Sequence, residues 1–80
     1  MLNPNLTKED AQWLINDFNQ MRGGRIDSKT IGMFTKAINL IRGTNSGNPS
    51  CSCQWKSQSS IANSLYGQHE ANIKEIANAV

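Results

Sequence analysis

Two stretches decide the fold class: residues 6–24, LTKEDAQWLINDFNQMRGG, and residues 26–43, IDSKTIGMFTKAINLIRG. In the first, the Thr7 hydroxyl is placed to accept the amide three residues on, and Asp10 holds the return position of a capping box. Leu6 and Ala11 take the two staple positions, and Glu9 and Asp10 suit the positive end of a helix dipole. Ala11, Leu14, Ile15, Phe18 and Met21 then recur at the three-and-four spacing of one buried stripe. Arg22 suits the helix end, and Gly23-Gly24 predicts a stop in the left-handed conformation open to glycine. A helix over about 7–22 follows.

In the second stretch the Asp27 carboxylate is placed to cap the amides of Lys29 and Thr30, with Ile26 and Ile31 as a second staple. Ile31, Phe34, Ala37, Ile38 and Ile41 form the stripe, and Met33 and Leu40 widen it. A helix apolar over so much of its circumference belongs between two neighbours, so helix 27–42 is expected at the centre. Gly43 predicts its stop. With only about four residues between these helices, a tight helical hairpin is expected.

Residues 43–54, GTNSGNPSCSCQ, are glycine, proline and short polar side chains, which favour turns over helix and predict a long loop. A third helix over about 55–79 carries Trp55, Ala62, His69 and Ile76 at one heptad position, and Tyr66, Ile73 and Val80 at another beside Leu65. Small and polar residues dilute this stripe, and Gly67 inside it marks a bend or a close helix approach. No strand-period alternation interrupts the pattern. The expectation is an all-α domain over residues 1–80: a tight helical hairpin, a long loop and a C-terminal helix.

Composition narrows the function classes. Eighty residues make one small domain whose core is modest. Apolar residues are 38% and charged residues 18%, both low, because ten asparagines and eight serines take their place. No apolar run approaches the roughly 18 residues of a membrane span, and Met1-Leu2-Asn3-Pro4-Asn5 lacks the regions of a signal peptide. A small core leaves apolar surface that self-association or a metal can support.

Chemistry-bearing patterns are sparse. One histidine, six carboxylates and no phosphate-cradling glycine motif argue against an enzyme; Cys51 or Cys53 with His69 is only a formal nucleophile–base pair. Cys51-Ser52-Cys53 admits three readings: two reduced thiols, a strained local disulfide, or part of a zinc site with His69 as third ligand. The zinc reading lacks a fourth ligand and has one residue, not two to four, between its cysteines. A buried His69 would also make helix packing pH-sensitive.

Charge is segregated. From Phe18 to Ser60, Arg22, Arg25, Lys29, Lys36, Arg42 and Lys56 face Asp27 alone, a net +5. Outside that window Lys8 and Lys74 face Glu9, Asp10, Asp17, Glu70 and Glu75, a net −3. Arg22, Arg25, Lys29, Arg42 and Lys56 are therefore candidate phosphate contacts for a nucleic-acid-binding regulator or packaging protein. A helix-turn-helix does not fit, since the second connection is too long. The same segregation suits contacts between copies of one chain. Trp13, off its helix's stripe, Trp55 beside the polar loop, and Tyr66 are the candidate protein-contacting aromatics.

In general character the short, asparagine-rich chain is similar to small open reading frames of phages and other mobile elements. That character implies a virion component or an inhibitor of host machinery, located in the cytoplasm or the virion. The reading the residues favour is a non-enzymatic helical interaction module with a protein partner, foremost a homo-oligomer. A nucleic-acid partner and a small zinc-supported domain are the alternatives. No membrane role is expected.

Overall fold

The computed structural model describes residues 2–79, and among them it contains three helices and no strand. Helix α1 is three consecutive stretches, α-helical Lys8–Trp13, π-helical Leu14–Phe18 and α-helical Asn19–Met21. Helix α2 is Ile31–Arg42, and helix α3 is Trp55–Ala77, entered through a 3-10 turn at Ser52–Gln54. At about 1.5 Å per residue α3 alone spans roughly 34 Å. It sets the long axis of a body measuring 40 × 22 × 18 Å. Val80, assigned to the third stripe, lies outside the described residues.

The first cap forms as the sequence predicts. Thr7 is extended and its hydroxyl accepts the Asp10 N–H at 3.1 Å, while Leu6 is buried as the staple. Ala11, Leu14 and Phe18 are fully buried. The π stretch is not legible in the spacing. Its mark is the Asn19 N–H, which reaches back five residues to the Leu14 carbonyl. In an α-helix, positions 13 and 18 stand about 140° apart around the axis. The wider turn brings them to one side, and Trp13 stacks on Phe18 with centroids 6.1 Å apart and planes at 26°.

Helix α2 begins later than position 27, because residues 27–30 close into a capping turn. The Asp27 carboxylate accepts the Lys29 N–H at 2.8 Å and the Thr30 N–H at 3.0 Å. The Thr30 hydroxyl returns the contact, accepting the Asp27 N–H at 2.9 Å and donating to the Arg25 carbonyl at 3.0 Å. Regular helix starts after this reciprocal box, so the connection runs from Arg22 to Thr30 and is longer than a tight hairpin needs. Gly23 and Gly24 also differ from expectation. Among the described residues Gly43 alone has positive φ, and α1 ends in a turn closed by the Gly24 N–H on the Met21 carbonyl at 2.8 Å.

The central element is α3 and not α2. Gln12 on α1 donates to the Ala77 carbonyl at 3.2 Å while Arg22 lies over Tyr66, so α1 runs antiparallel along the second half of α3. Gln58 donates to the Thr35 hydroxyl at 3.2 Å, tying the first half of α3 to α2. Helices α1 and α2 meet each other mainly at the π stretch. Of Ala62, His69 and Ala77, which dilute the stripe, the two alanines are buried, as is Ser59, and small side chains there allow neighbours to approach closely. Phe18 on α1 meets Phe34 of α2 edge-on at 5.8 Å and Tyr66 of α3 at 5.6 Å.

Two outcomes test this account. The Thr30 and Lys29 amides, as the largest causes, hold the Asp27 carboxyl below its ordinary 3.8. Its cap is therefore present above that value and lost as pH falls through the lower, folded-state pKa. In urea titrations the stability gap between wild type and Asp27→Ala should be flat above about pH 5 and close towards pH 2. Gly67 lies within unbroken helix, and a Cβ there would meet nothing within 4 Å, so it marks neither a bend nor a close approach. Gly67→Ala should stabilise the fold by about 0.5–1 kcal/mol, read as a rise in thermal midpoint.

Candidate binding groove

Two asparagines build a groove on the outer face of α2. Asn3 comes from the N-terminal segment and supplies donors to the end of α2. Its backbone N–H meets the Ile41 carbonyl at 2.7 Å and its Nδ2 the Leu40 carbonyl at 3.1 Å. These carbonyls belong to the last turn, which has no helical partners of its own. The Asn3 Oδ1 accepts the Asn5 N–H at 3.0 Å, fixing the segment's bend before α1.

Asn39 works on the opposite wall. Its Nδ2 donates to the Ser46 carbonyl at 2.8 Å, and its Oδ1 accepts the Thr44 hydroxyl at 2.7 Å and the Ser46 N–H at 3.1 Å. Its backbone carbonyl accepts the N–H groups of Gly43 and Thr44. The return loop is thereby folded back along α2, and the Asn48 amide lies 3.9 Å from where a Gly32 Cβ would stand. Between the walls lies an open cavity of about 580 Å³. Gly32, Lys36, Asn39 and Gly43 form its floor at one helical face, with Thr35 and Leu40 beside them. Asn5, Thr44 and Asn45 complete the rim.

Among the described residues Lys36 is the one charged side chain in this lining, and its ammonium sits 4.2 Å from the centre of the Trp13 ring. The groove thus offers amides, hydroxyls and a single cation. That chemistry hydrogen-bonds polar chain and attracts carboxylates.

The residues singled out from sequence fall elsewhere, and several change role. Tyr66 is fully buried, its hydroxyl without a hydrogen-bond partner, so it is a core residue rather than an exposed contact. Its pKa is raised above 10.0, first by burial and then by the Glu70 charge, with Arg22 acting the other way. Trp13 is half-buried between Phe18 and Lys36. Trp55 is half-buried, and its indole N–H is buried without a partner.

The five candidate phosphate contacts lie on the α1–α2 connection, the end of α2 and the start of α3. Arg22 is held 4.5 Å over the Tyr66 ring. Arg25 and Lys29 lie on the α1–α2 connection, Lys56 opens α3, and all are exposed. Arg42 closes α2, about 17 Å along the axis from Ile31. The same arithmetic shows that Cys51, Cys53 and His69 of one chain are not brought together. His69 stands roughly 21 Å along α3 from Trp55. Cys51 and Cys53 are joined to each other as a disulfide with Cα atoms 5.2 Å apart. Of the three readings this is the local disulfide, because extended Cys51 followed by the Ser52–Gln54 turn brings both sulfurs together. Among the described residues no three metal-ligating side chains cluster.

Comparison with known protein families, curated proteins and solved structures finds no match to this chain. Among the described residues no helix is long and apolar enough to cross a membrane.

Sequence reading missed Asn3, whose capping bond crosses 37 residues and leaves no local pattern, and Asn39, whose partners Thr44 and Ser46 lie in the return loop. The signal that could have found Asn39 is the spacing of Gly32, Lys36, Asn39 and Gly43, which share one polar face of α2. Gly43 is constrained twice: its φ is +74°, and a Cβ would stand 3.0 Å from Asn3 Oδ1. Gly43→Ala should cost about 1–3 kcal/mol in urea unfolding. In an Asn3→Ala background the added cost should shrink, because one of the two constraints is gone.

Proposed function

We propose that this chain is a non-enzymatic helical interaction module whose first partner is a second copy of itself. The observation that carries this reading is how the charge segregation maps onto the fold. The outer face of α2 presents exposed Lys36 in the amide-lined groove, Arg42 is exposed at the end of the same helix, and among the described residues no carboxylate lines that groove. The start of α1 and the end of α3 present exposed Glu9 and Glu75, and Asp17 is exposed on the π stretch. One copy's acidic end is complementary to another copy's basic face, and complementary charge sets register and orientation between partners. A cytoplasmic or virion location, and a role as virion component or inhibitor of host machinery, go with a module of this size and composition.

Light scattering tests the reading. Particle mass should rise with concentration above the 8.8 kDa of one chain. Lys36→Glu and Glu75→Lys should each weaken association by about three- to tenfold, the range open to an exposed pair reversed in sign. An equimolar mixture of the two variants should recover part of the loss, because the acidified face of one meets the basic end of the other. A mass fixed at one chain over the whole range would overturn it. Binding to a DNA duplex that collapses steeply with salt, with no self-association, would favour the nucleic-acid reading.

A further inference from the structure

The Cys51–Cys53 bridge is outside the groove and outside the buried cluster. Both cysteines are exposed. The bridge spans Ser52 alone, a loop too short to take much entropy from the unfolded chain, so its place in holding three helices together is slight. An exposed disulfide with little structural duty is open to attack by a thiolate.

The two sulfurs differ. Cys51 has extended backbone and precedes the 3-10 turn, and its Sγ accepts the Cys53 N–H at 3.3 Å. Negative charge arriving on the Cys51 sulfur meets a donor already aimed at it, and such hydrogen bonding favours the thiolate. The surrounding chain reinforces this: from Ser28 to His69 there is no Asp or Glu, and Lys56 follows Cys53 by three positions. The Asp27 carboxylate is engaged by the amides of its own turn.

We propose that Cys51–Cys53 is an exchange-active disulfide that takes electrons stoichiometrically from a thiol, with Cys53 as the sulfur attacked and Cys51 as the leaving thiolate. The incoming thiolate sulfur bonds to Cys53 Sγ, and the Cys51–Cys53 bond breaks with its electron pair departing on Cys51 Sγ, which then takes up a proton. A second thiol attacks the incoming group's own sulfur in the mixed disulfide. Cys53 leaves as thiolate, takes up a proton, and the two donor thiols depart as their disulfide. Two electrons and two protons have moved to this chain. The thiol is either a small molecule or a residue of another protein, and the chemistry is the same for both.

The test uses the full chain and reads dithiol formation by maleimide labelling and mass. With reduced glutathione, the folded chain should lose its disulfide about tenfold faster than the same chain unfolded in urea. Slow reaction with glutathione but fast reaction with reduced thioredoxin would assign the donor as a protein thiol. A folded chain no faster than the unfolded one with either donor would overturn the proposal. Reduction should move the thermal midpoint by less than about 4 °C, and a larger fall would make the bridge a structural staple instead. For the leaving group, Cys51 in Cys53→Ser should alkylate at pH 7 about threefold or more faster than Cys53 in Cys51→Ser. Equal or reversed rates would overturn that assignment. None of these readouts depends on self-association, so the two proposals fail separately.

Discussion

Phe18 is the contact on which the fold depends. It is fully buried and reaches one aromatic ring on each of the other helices, Phe34 edge-on and Tyr66 tilted. Aromatic pairs in such geometry are worth about 0.5–1.5 kcal/mol each beyond the area they bury. In a chain with 38% apolar residues, that concentration matters more than in a larger core. The π stretch follows from it. By widening one turn, α1 keeps Phe18 at the centre and still lays Trp13 against it, and Trp13 in turn receives Lys36 from α2.

The asparagine content has a similar architectural meaning. Asn3 and Asn39 between them bind the N-terminal segment and the return loop to the end of α2. A short side chain carrying both donor and acceptor can stand in for a missing backbone partner. Such residues stabilise a helix end that a small core cannot cover. The groove between the two walls is a consequence of this arrangement. Polar composition therefore belongs to the fold as much as to its surface.

Charge is placed with the same division of labour. Arg22 and Lys36 lie over aromatic rings, where a cation adds about 0.5–2 kcal/mol according to its exposure. Arg25, Lys29, Arg42 and Lys56 stand exposed, on the α1–α2 connection, the end of α2 and the start of α3.

What the sequence determined by itself was local. Helix existence, the Thr7 and Asp27 caps, the Leu6 staple, the buried stripe of α2 and the Gly43 stop all depend on residues within a few positions of one another. Those short-range steric and hydrogen-bonding rules are written in the spacing. The tertiary structure decided the rest. It made α3 the centre, since Ala62 and Ala77 read as weakness in one dimension and as close approach in three. It buried Tyr66, opened a π turn to satisfy Phe18, and joined Cys51 to Cys53 at a distance from His69. It also brought Asn3 across the chain to the end of α2. Each of these depends on which neighbour a side chain meets, and helical periodicity encodes a face without naming what will cover it.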